Sequence, residues 1–308
     1  MQFGHHDNNN NDDLRPSNHK LHQACGIIVA PTTGDIAVND IHTSQVNVYD
    51  NTGNFKFRLG EGTFAEKDKE TEELTTTEVK GQMFHKSPRD VAVDSDNGNY
   101  FVTDESHYVK IYNSEGTFQD RFTVVSPEGE TCGAGTWLAG LAIRNRVVYV
   151  GACNRSKFIS KHDTLTGQHI GSFPVDALPL YLAATPLDTV VISSWSPNVV
   201  QIVDAHTGTN VRTVEPPTCV TQWRPTGICC SDDAIFVAID NQAATDEYGV
   251  YCFSLSGDYV GCAIKNVTNP TGIAVSGGGG RTLMVSQYER GNPQAGCGLH
   301  GVKVFTRT

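Results

Sequence analysis

The sequence predicts an all-β fold, a six-bladed β-propeller with four-stranded antiparallel blades. Three observations point there: an apolar motif that recurs six times along 308 residues, turn residues between short Val/Ile/Tyr/Phe runs, and 30 glycines spread through the chain. The motif reads Ala24-Cys-Gly-Ile-Ile-Val29, Pro88-Arg-Asp-Val-Ala-Val93, Leu138-Ala-Gly-Leu-Ala-Ile143, Pro179-Leu-Tyr-Leu-Ala-Ala184, Pro225-Thr-Gly-Ile-Cys-Cys230 and Pro270-Thr-Gly-Ile-Ala-Val275. Each copy supplies an inner strand. With Gly26, Asp90, Gly140, Tyr181, Gly227 and Gly272 as markers, the spacings are 64, 50, 41, 46 and 45 residues. Propeller blades repeat every ~40–50 residues, so only the first interval needs an explanation.

Each inner run is followed by a turn and a second β run, as in Gly34-Asp-Ile-Ala-Val38, Asn99-Tyr-Phe-Val-Thr-Asp104 and Val147-Val-Tyr-Val150. A third run follows in all six copies, including Val46-Asn-Val-Tyr49, Val109-Lys-Ile-Tyr112 and Val302-Lys-Val-Phe305. Several of these alternate apolar and polar residues, the period of a half-buried strand. A Gly-centred turn then leads to a fourth strand in five copies, as in Asn51-Thr-Gly-Asn-Phe55 and Ser114-Glu-Gly-Thr-Phe118, whereas the sixth stops at Thr308 without one. A propeller avoids exposed edges by closing its ring, so the last blade requires a strand from the N-terminus. The donor is Met1-Gln-Phe-Gly4, which matches the tail of a fourth strand such as Phe57-Arg-Leu-Gly60 and suggests that the chain starts inside the closing strand of a longer protein.

The resulting organisation is a closing-strand remnant and polar loop over 1–22, then a propeller over 23–308. Its blades fall at about 23–60, 86–124, 136–175, 178–217, 223–265 and 267–308. The long first interval holds an acidic insert, 61–85, with Glu66-Lys-Asp-Lys-Glu-Thr-Glu-Glu73 and a Thr tract, expected to form a surface loop because it cannot pack in a core.

These repeats resemble the NHL repeat, whose pattern is roughly P-x-G-[IV]-A-V-D, G-N-[IV]-x-V-x-D, V-x-V-[FY] and G-x-F. The best match runs from Pro88 to Phe118 and includes Val93-Asp94, Gly98-Asn99, Val102-Thr-Asp104 and Gly116-Thr-Phe118, with Gly81-Gln-Met-Phe84 ahead of it as the G-Q-F lead-in. Blades three and four depart most, with Asn145-Arg146 and Leu187-Asp188 where G-N is usual. The resemblance is greatest to the C-terminal NHL domain of tripartite-motif (TRIM-NHL) proteins. It implies a non-catalytic module that recognises substrates for a ubiquitin ligase, whose zinc modules are not in this chain.

The formal net charge of −11 makes nucleic acid an unfavoured partner, because an acidic chain repels a phosphate backbone unless its basic residues cluster. No stretch reaches the ~20 apolar residues of a membrane span, and no signal peptide is evident, so no membrane association and a cytoplasmic location are expected. Nine cysteines without C-x-x-C pairs fit reduced thiols. Cys229 and Cys230, adjacent on an inner strand, point to opposite faces as core thiols.

Function is expected on the face formed by the connections leading into inner strands and by those between second and third strands. Trp, Tyr and Arg combine area, planarity and charge and so anchor interfaces most often. The candidates for protein-partner binding are Arg89, Arg155, Trp195, Trp223, Arg224 and Tyr288, with Trp137 on the same face; the competing reading of each Trp is packing between blades. Single-stranded or structured RNA is the alternative ligand, using Arg89, Arg155, Arg224 and Arg290, and the acids interleaved with them weigh against it. A metal-dependent lyase or hydrolase is the second alternative. His42, His107 and His300 come from corresponding loops of neighbouring blades and would form a three-His zinc triad, against a reading as solvated loop histidines. No catalytic residue and no cofactor is assigned, since neither a nucleophile elbow nor a phosphate loop nor a dinucleotide fingerprint occurs.

Overall fold

Valine, isoleucine and aromatic residues fill the middle of each repeat because a pleated strand packs branched and flat side chains well. In the computed structural model these runs form six four-stranded antiparallel sheets. The structure describes residues 2–3, 21, 23–41, 43–59, 64–67, 74–77, 87–133, 135–153, 156–240, 249–267, 269–276, 282–287 and 301–306. Inner strands span Ala24–Val29, Pro88–Val93, Trp137–Arg144, Tyr181–Ala184, Pro225–Cys230 and Pro270–Ser276. Second strands span Ile36–Asp40, Tyr100–Asp104, Val147–Cys153, Thr189–Trp195, Ala234–Ile239 and Thr282–Gln287. Third strands span Gln45–Tyr49, Tyr108–Tyr112, Lys157–Asp163, Asn198–Asp204, Gly249–Ser254 and Gly301–Thr306. Five blades end on an outer strand of their own: Phe55–Arg58, Phe118–Thr123, His169–Pro174, Asn210–Thr213 and Tyr259–Lys265. The sixth is completed by Gln2–Phe3, which pairs antiparallel with Gly301–Thr306 in the register Gln2↔Lys303 and Phe3↔Val302. The ring is therefore closed by a short N-terminal strand, as the missing sixth outer strand required.

The hydrophobic core is divided into six clusters, and each lies at a boundary between neighbouring blades, including the boundary of blade six with blade one. Successive side chains of one strand point to opposite faces of the sheet and so enter different clusters. Val91 and Val93 pack towards blade one while Ala92 packs towards blade three. Cys229 and Cys230 divide in the same way between the clusters shared with blades six and four. Middle strands are buried on both faces, as in Tyr100–Asp104 and Ala234–Ile239. That is why their alternation of apolar and polar residues is weaker than a half-buried strand would show, and why polarity is concentrated on the outer strands.

The blades meet most closely at the repeat marker. The inner strands bulge there in five blades, with register shifts at Ala24/Ile27, Pro88/Asp90, Leu138/Leu141, Pro225/Ile228 and Pro270/Gly272. A Cβ on Gly140 would stand 2.9 Å from the backbone of Tyr181, and one on Gly272 would collide with the Cys25 carbonyl oxygen. Hydrogen bonds cross the same boundaries. Thr103 Oγ1 donates to Ala139 O at 2.6 Å, Ser193 Oγ to Thr226 O at 2.5 Å, Thr226 Oγ1 to Pro270 O at 2.7 Å and Ser286 Oγ to Cys25 O at 2.7 Å. On the opposite face the ring of Phe57 lies under Gly116 of the next blade, and Phe122 lies under Gly167 in the same way. Where blades three and four lack G-N, Asn145, Arg146 and Asp188 adopt left-handed φ angles of 50°, 61° and 53°.

The insert departs from expectation. Within 61–85, Phe64–Lys67 and Leu74–Thr77 pair as an antiparallel hairpin rather than forming loop alone. The Thr tract supplies β-branched residues, and Phe64 and Ala65 give the partner strand an apolar start. Among the described residues no helix is long and apolar enough to cross a membrane.

The hub makes a direct prediction. Gly272→Ala should lower unfolding free energy by about 3 kcal/mol, because backbone of a neighbouring blade must move. Gly261→Ala, which meets nothing within 4 Å, should stay within about 0.5 kcal/mol of the parent. Urea unfolding followed by tryptophan fluorescence compares the two.

Candidate functional site

The starts of the inner strands and the connections between second and third strands define one face of the ring. Blades two, three and four place Arg89, Trp137 and Trp195 there, at the second residue of one inner strand, the first of the next, and the end of a second strand. With Cys25, Ile41, Ala139, Leu180 and Tyr181 they line a pocket of about 60 Å³. Trp195 is 45% exposed. The Arg89 guanidinium lies 5.6 Å from the centre of the Trp137 ring, and its Nη2 donates to Glu105 Oε1 at 2.7 Å. Arg89 Nε is buried and has no partner among the described residues.

Below this pocket a cavity of about 240 Å³ follows the ring axis, lined by residues from all six inner strands, Asp90 and Tyr181 among them. Tyr181 borders both spaces. Burial pushes its phenol well above the ordinary range, with Cys25 and Asp90 adding to the effect. Burial likewise pushes the Cys25 thiol up to about 12, and its Sγ donates to Arg89 O at 3.5 Å, so it stays protonated and is a poor nucleophile at neutral pH. Asp90 joins three blades: Oδ2 accepts from Leu141 N at 2.8 Å, Oδ1 accepts from Val91 N at 2.9 Å, and its carboxylate borders Gly26. Burial raises its carboxyl to about 7 despite those two hydrogen bonds, which favour the ionised form.

Of the sequence candidates, the structure brings Arg89 and Trp195 together and puts Trp223 and Arg224 elsewhere. Trp223 is half-buried in the core between blades four and five, edge-on to Phe253 with centroids 6.2 Å apart. Arg224 Nη1 lies 3.7 Å from Asp240 Oδ2. Arg155, Tyr288, Arg290, His42 and His300 lie outside the described residues. The His107 ring stands 4.0 Å from that of Tyr108, over which the Arg121 guanidinium sits at 3.7 Å. Among the described residues no group of three His, Cys, Asp or Glu side chains is placed to hold a metal ion. The sequence reading did not single out Asp90, Tyr181 or Cys25 as site residues. A signal for two of them was present, because Asp90 and Tyr181 occupy the marker position that is glycine in the other four repeats.

This architecture is that of a six-bladed β-propeller. It is similar to the crystal structure of a protein of unknown function from Bacteroides caccae, at a TM-score of 0.58 and 11% identity over 92% of this chain and 90% of that one. No family model and no curated protein matches the chain. The structural likeness establishes the fold alone.

Asp90 and His162 make opposite contributions to the pH dependence of stability. His162, stacked on Phe122 at 4.3 Å, is lowered by burial from 6.5 to about 4 even though its ring bonds Gly167 O. Between pH 4 and 6.5 the unfolded chain binds more protons at His162, so this term stabilises the fold as pH rises. Between pH 4 and 7 the folded chain binds more protons at Asp90, so that term destabilises it as pH rises. Relative to wild type, Asp90→Asn should therefore gain about 4 kcal/mol across that window and His162→Gln should lose about 3 kcal/mol. Unfolding midpoints at pH 4, 5.5 and 7 test both; wild-type-like profiles in the two variants would assign the effect to other groups.

Proposed function

We propose that this propeller is a non-catalytic protein-interaction module whose partner docks over Trp195 and the adjoining pocket. The observation that carries the reading is the exposed Trp195 indole at the mouth of a small cavity walled by Trp137, Tyr181 and Arg89. A cavity of about 60 Å³ takes a side chain rather than a substrate molecule, since ligand clefts run to ~300–1,000 Å³. Protein is favoured over RNA because Arg89 and Arg224 already face Glu105 and Asp240, which offsets the charge a phosphate would need. From its repeat motifs we assign the chain to the NHL type, and its role to selecting substrates for a TRIM-like ubiquitin ligase in the cytoplasm.

A photo-crosslinking residue at position 195 tests the docking face, with position 187 on the opposite face as control; Leu187 is 59% exposed. The expected result is a protein adduct from position 195 alone, suppressed by excess wild-type propeller and not by an Arg89→Ala, Trp195→Ala variant. A nuclease-sensitive adduct, or equal labelling at both positions, would count against the assignment.

A further inference from the structure

A second cleft, of about 610 Å³, opens on the opposite face between blades one and two. One wall is the 30–35 turn with Lys56 and Phe57 of the first outer strand, and the other is formed by Ser95–Tyr100 with Ser114 and Glu115. Its size falls within the ~300–1,000 Å³ of small-molecule sites. Three carboxylates, Asp35, Asp96 and Glu115, border it against one ammonium, that of Lys56. The apolar part is Ala30 together with the rings of Phe57 and Tyr100, which meet edge to face with centroids 6.4 Å apart.

Two features separate this cleft from an ordinary acidic surface. Lys56 Nζ lies 2.7 Å from Asp35 Oδ2, so the chain's own ammonium already occupies the innermost carboxylate; the Asp35 side chain is 8% exposed and that of Lys56 40%. Tyr100, only 2% exposed, lines the cleft, with its ring edge-on to Phe57. Burial and the nearby Asp35 carboxylate hold that phenol in its protonated form, so Tyr100 borders the cleft as a neutral group able to donate or accept a hydrogen bond.

We propose that this cleft binds an ammonium or guanidinium cation carried on a slim apolar stem, which displaces Lys56 from Asp35. The stem lies along Phe57 and Tyr100, and the Tyr100 hydroxyl accepts a hydrogen bond from the cationic head. A ring face beside a partly desolvated cation adds attraction to that of the carboxylates. The shared chemistry covers a free polyamine and the Lys or Arg side chain of a basic peptide. The site is independent of the docking face, so either assignment stands if the other fails.

Spermidine and a tri-arginine peptide are titrated by calorimetry against the full chain and four variants, at two salt concentrations. Saturable one-to-one binding of either probe is expected; the probe that binds identifies the source of the cation. Asp35→Asn and Tyr100→Phe should each weaken it about tenfold, Lys56→Met should strengthen it about tenfold, and Trp195→Ala should leave it unchanged. Tyr100→Phe keeps the ring and its packing, so its effect is separable from misfolding, which circular dichroism checks for every variant. Absence of saturable binding, or losses that follow net charge while Tyr100→Phe has no effect, would overturn the proposal by reducing the cleft to diffuse charge attraction.

Discussion

Close approach of neighbouring inner strands at the repeat marker is the constraint on which the rest of this ring depends. Six sheets converge on one axis, and there the blades are too near for an ordinary side chain at every position. Gly140, Gly227 and Gly272 each face backbone of the next blade at distances a Cβ could not share. The same proximity puts hydroxyls of second strands within reach of the adjacent blade's carbonyls. Thr103, Ser193 and Ser286 occupy equivalent positions and all donate across a boundary. Blade five has Ala238 there, and Thr226 of its inner strand takes over by donating to both Ala238 O and Pro270 O. In blade one the equivalent residue is Asn39, whose buried amide finds no partner among the described residues. Each such bond contributes about 1 kcal/mol net, so their importance lies in fixing the angle at which blades meet.

That geometry explains the site. Where the marker is not glycine, a side chain enters the axis, and the two departures differ in kind. Asp90 is small enough to bond two backbone N–H groups and tie blades one, two and three together. Tyr181 is long enough to separate the axial cavity from the pocket beneath Trp195. The pocket at Trp195 is thus an outcome of the residues at the hub as much as of loop composition.

The strands were legible because β-branched runs and Gly-centred turns are local signals, and every inner strand begins and finishes within a residue of its motif except the one predicted from Pro179, which starts two residues later, at Tyr181. Ring closure was legible too, since a missing outer strand at one terminus demands a donor at the other. The site was legible only in part. Choosing Arg89 and Trp195 needed nothing beyond residue type and loop class, but their convergence on Trp137 depends on how three blades are set around an axis. Trp223 has the same residue type as Trp137 and a similar place in its repeat, yet in blade five it packs into the boundary with blade four, against Phe253. The opposite-face cleft was invisible in sequence for a related reason. Asp35 and Glu115 are eighty positions apart, and only the pairing of two turns at a blade boundary makes them neighbours.

The hub is held by contacts made to the main chain of the adjacent blade. Their acceptors are main-chain carbonyls and their steric limits are set by main-chain atoms, which every amino acid provides. A ring held this way asks little of residue identity beyond a few small or hydroxylated positions, so drift can erase most of its lettering without disturbing its shape. A chain such as the Bacteroides caccae protein, which agrees with this one at about one position in nine yet follows the same course over nine-tenths of its length, is what such a framework permits.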